Sequence, residues 1–240
     1  MPLHMVTYLS NSQQQPGNLC HNNANAAALS KLISNDSVQK VAGFASSKPH
    51  SFIAVTILIK YKLGAFATWM PKLHGYYVDH LDALLQHDCK LQRNFHNSVW
   101  SSTTINFGPR TCCKQHTDFN NLPFGICSIY GAGRYNSKEG GHLVLWEAGL
   151  VIEFPPGSTI LIPSAVLTHS NVPIPKGSTR YSVTQYTAGG LFRWVDHGFQ
   201  GKESYWESLT DEGRAEETQR MEGYAVMGLG LFSTKEELLA

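Results

Sequence analysis

His116-Thr117-Asp118, followed by His169 and then by Arg180, are residues whose types and order suit metal chemistry. Two imidazoles and one carboxylate on one face of an ion leave adjacent coordination positions open. That is the facial arrangement of non-haem Fe(II) oxygenases, and it suits O2 chemistry. Residues 119 to 168, fifty of them, separate the pair from the second histidine and are rich in short β-branched runs and Gly/Pro turns. This is enough chain to cross a β-sandwich several times before His169 returns to His116 and Asp118. Arg180 comes eleven positions after His169, within Ser178-Thr179-Arg180-Tyr181-Ser182-Val183-Thr184, which alternates like a strand. A guanidinium there is placed to hold the far carboxylate of 2-oxoglutarate through paired hydrogen bonds while the keto-acid end chelates iron.

The elements that must position these groups follow from periodicity and turn residues. Residues 1 to 25 are polar, with Gln13-Gln14-Gln15-Pro16-Gly17 and Asn22-Asn23, and read as a loosely ordered lead-in. Ala24 to Ser34, Asp36 to Ala45 and Tyr77 to Cys89 have apolar positions three and four apart and predict helices. Phe52 to Lys60 is a continuous apolar run with Val, Ile and Thr and reads as a buried strand. From Val99 onward short candidate strands take over: 99–106, 111–115, 125–130, 142–146, 151–154, 159–162 and 179–186. Gly131-Ala132-Gly133 and Pro155-Pro156-Gly157 punctuate them. Glu203 to Met221 is acidic and helical. The expectation is an α+β protein built on a double-stranded β-helix (jelly-roll, cupin-like) core at about 99–190. N-terminal helices and a short C-terminal helical segment support it, and residues 26–240 form one domain.

Composition narrows the function classes. With 240 residues, 42% hydrophobic and 15% charged, the chain can bury one substantial core, and β-rich single domains reach about 200–250 residues. A formal charge of +1 makes no global case for a polyanion partner, so nucleic acid would have to meet a local patch. The five cysteines form no CxxC pair, and no apolar leader is seen at the N-terminus, which together point to a reducing intracellular compartment. The longest apolar stretch, Phe52 to Ile59, is far below the ~20 residues that span a bilayer, so no membrane partner is expected.

Residues 99 to 199 resemble the TET/JBP family of Fe(II)/2-oxoglutarate dioxygenases of methylated DNA bases, in its compact fungal form. Gly140-Gly141-His142-Leu143-Val144-Leu145-Trp146 resembles the family strand whose histidine contacts 2-oxoglutarate. Arg180 to Tyr186 resembles the final strand, where the arginine and the residue two later, here Ser182, hold the cosubstrate. An aromatic six positions beyond the arginine, here Tyr186, stacks on the flipped base. Asn121, five after His116, falls where an asparagine bonds the base edge. Two features depart from the pattern. Ala188 stands where the animal enzymes carry a base-contacting histidine, and their cysteine-rich zinc region is absent, so no structural zinc is expected.

The resemblance implies His116, Asp118 and His169 as Fe(II) ligands and catalytic centre, with 2-oxoglutarate and O2 as cosubstrates and ascorbate as activator. Arg180, Ser182 and His142 would hold 2-oxoglutarate, and Asn121 and Tyr186 would hold a base flipped out of DNA. The substrate it implies is 5-methylcytosine, taken to hydroxymethyl, formyl and carboxyl products, in the nucleus. N6-Methyladenine is the variant: oxidation of its N-methyl gives a hemiaminal that loses formaldehyde. Phosphate-contact candidates are Lys48, Lys60, Lys62, Lys72, Lys90, Arg93, Arg110 and Lys114.

Plainer readings stand beside these. His142 in an apolar strand reads equally as a core histidine, Tyr186 as a core aromatic, and Asn121, after Asn120 and before Pro123, as a turn residue. Asn106, before Gly108-Pro109, reads either as facing the pocket or, more plainly, as a turn, and Asp196 and His197 either as ligands or, more plainly, as surface residues. Cys112 and Cys113 lie on opposite faces of a strand, with Cys113 near the triad. Two rival functions remain open: an Fe(II)/2-oxoglutarate hydroxylase of a protein or small molecule, and a non-catalytic cupin-like binding protein.

Overall fold

The structure, a computed structural model, describes residues 2–8, 15–19, 22–46 and 64–239. The expected strand at Phe52 to Lys60 lies outside the described residues. Two helices open the chain after a short β-ladder. α1 (Asn23–Ile33) is capped by the Asn22 side chain, which accepts from Asn25 N. α2 (Asp36–Ser46), α3 (Ala65–Trp69) and α4 (Pro71–His87) follow, α4 beginning with Pro at its first turn, where the missing N–H costs nothing.

The β-region forms two antiparallel sheets. Strands β1 (Pro2–Tyr8), β2 (Gly17–Asn18), β3 (Ser102–Asn106), β4 (Cys127–Arg134), β7 (Thr159–Ile162) and β9 (Thr179–Tyr186) are ordered β2-β1-β3-β9-β4-β7. Strands β5 (Leu143–Leu145), β6 (Leu150–Ile152) and β8 (His169–Asn171) are ordered β6-β5-β8. Cys127 and Ile162 of the large sheet pack with Leu143 and Leu145 of the small one, so the two sheets share an apolar layer. The other face of the large sheet meets the helices. There Phe66, Leu73, Tyr77, Trp100 and Phe192 form one cluster, with Phe66 stacked on Trp100 at 5.2 Å. The Trp100 indole N–H donates to Ile126 O, and Tyr77 accepts from Ile126 N, which pins the start of β4 to the helical layer.

Several elements differ from the sequence reading, each for a local reason. Pro2–Tyr8, within the polar lead-in, pairs with β3 as a strand. Residues 111–115 make no ladder, because their hydrogen bonds are divided between the two sheets: Thr111 N donates to Arg180 O, and Cys113 O accepts from Asn171 N. Gly131-Ala132-Gly133 is no turn but the middle of β4. A Cβ at Gly133 would lie 2.2 Å from Thr179 O, so glycine here admits a close approach of β9. The acidic C-terminal stretch is two helices, α6 (Lys202–Ser208) and α7 (Asp211–Gly230), divided where Thr210 Oγ1 caps Gly213 N. α5 (Gly189–Asp196) and a terminal α8 (Lys235–Leu239) complete the chain. Among the described residues no helix is long and apolar enough to cross a membrane.

Asp196 and His197, expected at the surface, belong instead to a polar network that ties α4 to α7. His197 is buried and stacks on Tyr205 at 4.0 Å, while Asp196 meets His80 Nε2 at 2.9 Å and Arg220 at 3.7 Å. Arg220 donates twice to the buried Glu217 carboxylate, each bond 2.7 Å. These bonds hold the Glu217 carboxyl below the ordinary carboxylate range. A depressed folded pKa contributes stability that is present above the unfolded value and lost as pH falls through the folded one. Glu217→Gln is therefore expected to cost about 2 kcal/mol in urea unfolding at pH 7. The difference from wild type should narrow as pH falls below the ordinary carboxylate range.

Candidate active site

The site forms where residues 110–116 cross from the large sheet to the small one. At its start Arg110 bridges Arg180 in parallel, and at its end His116 bridges His169 in antiparallel. His116 N donates to His169 O at 3.1 Å, and His169 N donates to His116 O at 2.9 Å. Residues far apart in sequence are thereby locked side by side, and their ring centroids are 4.3 Å apart. Asp118 is brought in by a third backbone bond, from its N–H to Ser164 O at 2.9 Å. The turn after it closes with Asn121 N donating to Asp118 O at 2.8 Å.

The donor atoms of His116, Asp118 and His169 all lie within 4.8 Å of one another, close enough for one ion. Asp118 Oδ1 is 3.6 Å from His116 Nε2, and Oδ2 is 3.9 Å from His169 Nε2. Each ring is oriented by its other nitrogen: His116 Nδ1 donates to Lys114 O at 2.7 Å and His169 Nδ1 to Leu167 O at 3.0 Å. Both Nε2 lone pairs are left for a metal, the usual arrangement around a ligand histidine. His169 is 6% exposed against 42% for His116 and 33% for Asp118, so the site opens to solvent on the His116–Asp118 side.

Arg180 is buried on β9, with 1% of its surface exposed. Its Nη1 donates to Thr111 O at 3.0 Å, its guanidinium carbon lies 5.9 Å from the Phe154 ring centroid, and its Nε has no hydrogen-bond partner. Among the described residues no carboxylate lies within ion-pair distance of it. A buried cation without an anion is costly, and an incoming carboxylate would satisfy it. Ser182, two residues on and on the same face of β9, is buried and accepts from Asn106 Nδ2 at 3.0 Å. The half-buried Cys113 thiol is pushed up by burial and feels both the Arg180 guanidinium and the Asp118 carboxylate. It therefore lies within electrostatic reach of both Arg180 and Asp118.

The remaining predicted residues fall as follows. Tyr186 packs against the layer between the sheets, and its hydroxyl shares a hydrogen bond with Thr104 Oγ1 at 3.2 Å. Burial pushes its phenol up, and the Asp118 charge adds to this. Asn121 donates to Ser164 Oγ at 3.3 Å and bridges Ala188 through its backbone. His142 precedes β5, where its backbone O accepts from Val172 N. Among the phosphate candidates, Lys72 pairs with Glu237 and Arg93 with Asp82. Arg110 donates to Ile174 O, Lys90 and Lys114 are exposed, and Lys48, Lys60 and Lys62 lie outside the described residues.

Of the two readings of Asn106, the turn fails: it is the last residue of β3, orienting Ser182. Two contributors were missed. Phe154 lies against Arg180, and Tyr135 donates to Phe154 O at 2.6 Å. Neither has a local signal, since each acts only through contacts formed after folding.

No family model matches the chain, and no curated protein matches it. Among solved structures it is similar to NgTET1 in complex with 5mC DNA, at 18% identity over 68% of this chain and 69% of that one, TM-score 0.36. It is similar to the viral collagen prolyl hydroxylase vCPH of Paramecium bursaria Chlorella virus-1 in its 2OG complex (11%, 77% and 93%, TM-score 0.28). An RmlC-like cupin protein from Desulfovibrio desulfuricans matches at 15% identity over 35% of this chain and 70% of that one, TM-score 0.24. At these identities and scores the likeness carries no functional argument, which rests on the site's own atoms.

Asp118→Ala is expected to weaken Co(II) binding, measured by calorimetric titration, by more than the ~100-fold that marks the upper range for loss of a ligand's supporting partner. Arg180→Met, which leaves the three donors in place, should bind Co(II) nearly as wild type does.

Proposed function

We propose that this chain is an Fe(II)/2-oxoglutarate-dependent dioxygenase that oxidises the methyl group of a modified DNA base, 5-methylcytosine foremost, in the nucleus. The observation that carries the reading is the pairing of a two-histidine, one-carboxylate cluster with a buried arginine that has no anion of its own, both ends of one crossing segment. The donor set suits Fe(II), and the unpartnered Arg180 Nε suits a dicarboxylate cosubstrate.

His116, Asp118 and His169 would hold the metal through Nε2, a carboxylate oxygen and Nε2. Bound Fe(II) with 2-oxoglutarate and O2 supplies hydroxylation of an unactivated C–H bond, with oxidative decarboxylation of the cosubstrate to succinate. Arg180 would anchor the distal carboxylate, assisted by the Ser182 hydroxyl, whose orientation Asn106 sets. The buried side of the site, around His169 and Arg180, excludes water from the cosubstrate. The exposed side, at His116 and Asp118, is left for the substrate. A base inside a duplex reaches such a site only when flipped out, which costs a few kcal/mol and needs a stacking plane and edge hydrogen bonds. Tyr186, within electrostatic reach of Asp118, supplies a plane, and Asn121, on the Asp118 turn, supplies a donor and an acceptor.

The test is nucleoside mass spectrometry after incubating the protein with Fe(II), ascorbate, 2-oxoglutarate and duplexes carrying 5-methylcytosine or N6-methyladenine. Oxidised cytosines, absent with His116→Ala, are the expected result; loss of methyladenine instead would move the substrate to that base. Succinate formed with neither base changed would leave the iron chemistry and remove DNA as the substrate. Truncating one partner of a buried charge pair costs about 2–5 kcal/mol, so Arg180→Met should raise the KM for 2-oxoglutarate at least ~30-fold in a succinate-release assay.

A further inference from the structure

We propose that Glu147 is a positioning residue for the metal ligand His169, acting through the peptide group that joins Leu167 to Thr168. The inference rests on the metal-site reading and adds to it a residue that touches neither the ion nor a ligand side chain. Glu147 lies in the turn between β5 and β6, closed by Gly149 N donating to Trp146 O. Both of its carboxylate oxygens are used on one residue. Oε2 accepts from Thr168 N at 2.8 Å, and Oε1 accepts from the Thr168 hydroxyl. Among the described residues it has no lysine, arginine or other cationic side chain as an ion-pair partner.

The N–H it receives and the carbonyl that orients His169 belong to the same amide. Leu167 O accepts from His169 Nδ1 at 3.0 Å, while Thr168 N, across the same planar peptide bond, donates to Glu147. An amide whose N–H is bonded to an ionised oxygen is polarised, and its carbonyl becomes a better acceptor. The carboxylate therefore reaches the imidazole through one peptide unit. It favours the Nδ1–H tautomer and fixes the ring with Nε2 free toward the metal position. A carboxylate bonded directly to a ligand histidine does the same work.

The neighbouring residue braces the other side. Trp146 N donates to Thr168 O at 3.0 Å, and its indole N–H donates to Ser170 Oγ at 3.1 Å. The residues before and after His169 are thus both held by consecutive residues of one turn. The exposed ligand His116 has no counterpart: among the described residues no carboxylate bonds the peptide after Lys114.

The test is Co(II) titration by calorimetry of wild type, Glu147→Ala, Glu147→Gln, Thr168→Val and His116→Ala, below the melting transition of every variant. Glu147→Ala is expected to lose about 10–100-fold in Co(II) affinity, as for other outer partners of a ligand histidine. Glu147→Gln, whose amide oxygen still accepts from Thr168 N but carries no charge, should fall between. Thr168→Val removes only the hydroxyl bond and should bind like wild type. Wild-type affinity in Glu147→Ala would overturn the proposal. So would equal losses in Glu147→Ala and Thr168→Val, which would make the contact a loop clamp alone. If wild type and His116→Ala both fail to bind Co(II), the metal reading itself falls and this inference with it.

Discussion

The crossing of residues 110–116 between the two sheets is the constraint on which the site depends. It is bonded to Arg180 on β9 at one end and to His169 on β8 at the other, with Asp118 fastened to Ser164 just beyond. Each backbone bond contributes only about 1 kcal/mol net. Their value is geometric, because they set the relative positions of a cation and three metal donors that no single element carries. The segment forms no ladder of its own for the same reason: its N–H and C=O groups are divided between two sheets.

Polar groups are treated in opposite ways in the helical layer and at the crossing. Among α4, α5 and α7, His80, Asp196, Glu217 and Arg220 are bonded or ion-paired in one chain of contacts, which joins three helices into one layer. At the crossing, Arg180 is buried with one carbonyl, an aromatic ring nearby and an unpartnered Nε. A folded protein tolerates such an unanswered cation where a ligand will answer it. On β9 itself, Val183 packs against the cluster of Ala42, Phe95 and Ile105, which backs the strand that carries the guanidinium.

Much of the scaffold was legible in the chain. α1, α2 and most of α4 follow from three-and-four spacing, and β9 coincides with the alternating run at residues 179–186. What escaped was set by partners remote in sequence. β8 is three residues long and exists as a strand because β5 and His116 pair with it. The glycines of β4 resemble a turn until β9 is seen passing beside them. Asn106 resembles a turn residue before cis Gly108-Pro109, yet it ends β3 against Ser182. Tyr135, Phe154 and Glu147 carry no local signature, since each acts on a neighbour supplied by another part of the chain.

By itself the sequence determined the donor set and its order: two histidines, an aspartate and a strand arginine. Side-chain type decides what an atom can ligate or bond, and that is written residue by residue. Only the tertiary structure decided which of these groups meet. It joined His116 and His169, bonded Arg180 to the other end of the same crossing segment, and set Glu147 behind the peptide that orients His169. Those outcomes depend on backbone hydrogen bonds closed across tens of residues, and local periodicity does not encode which distant partners will close them.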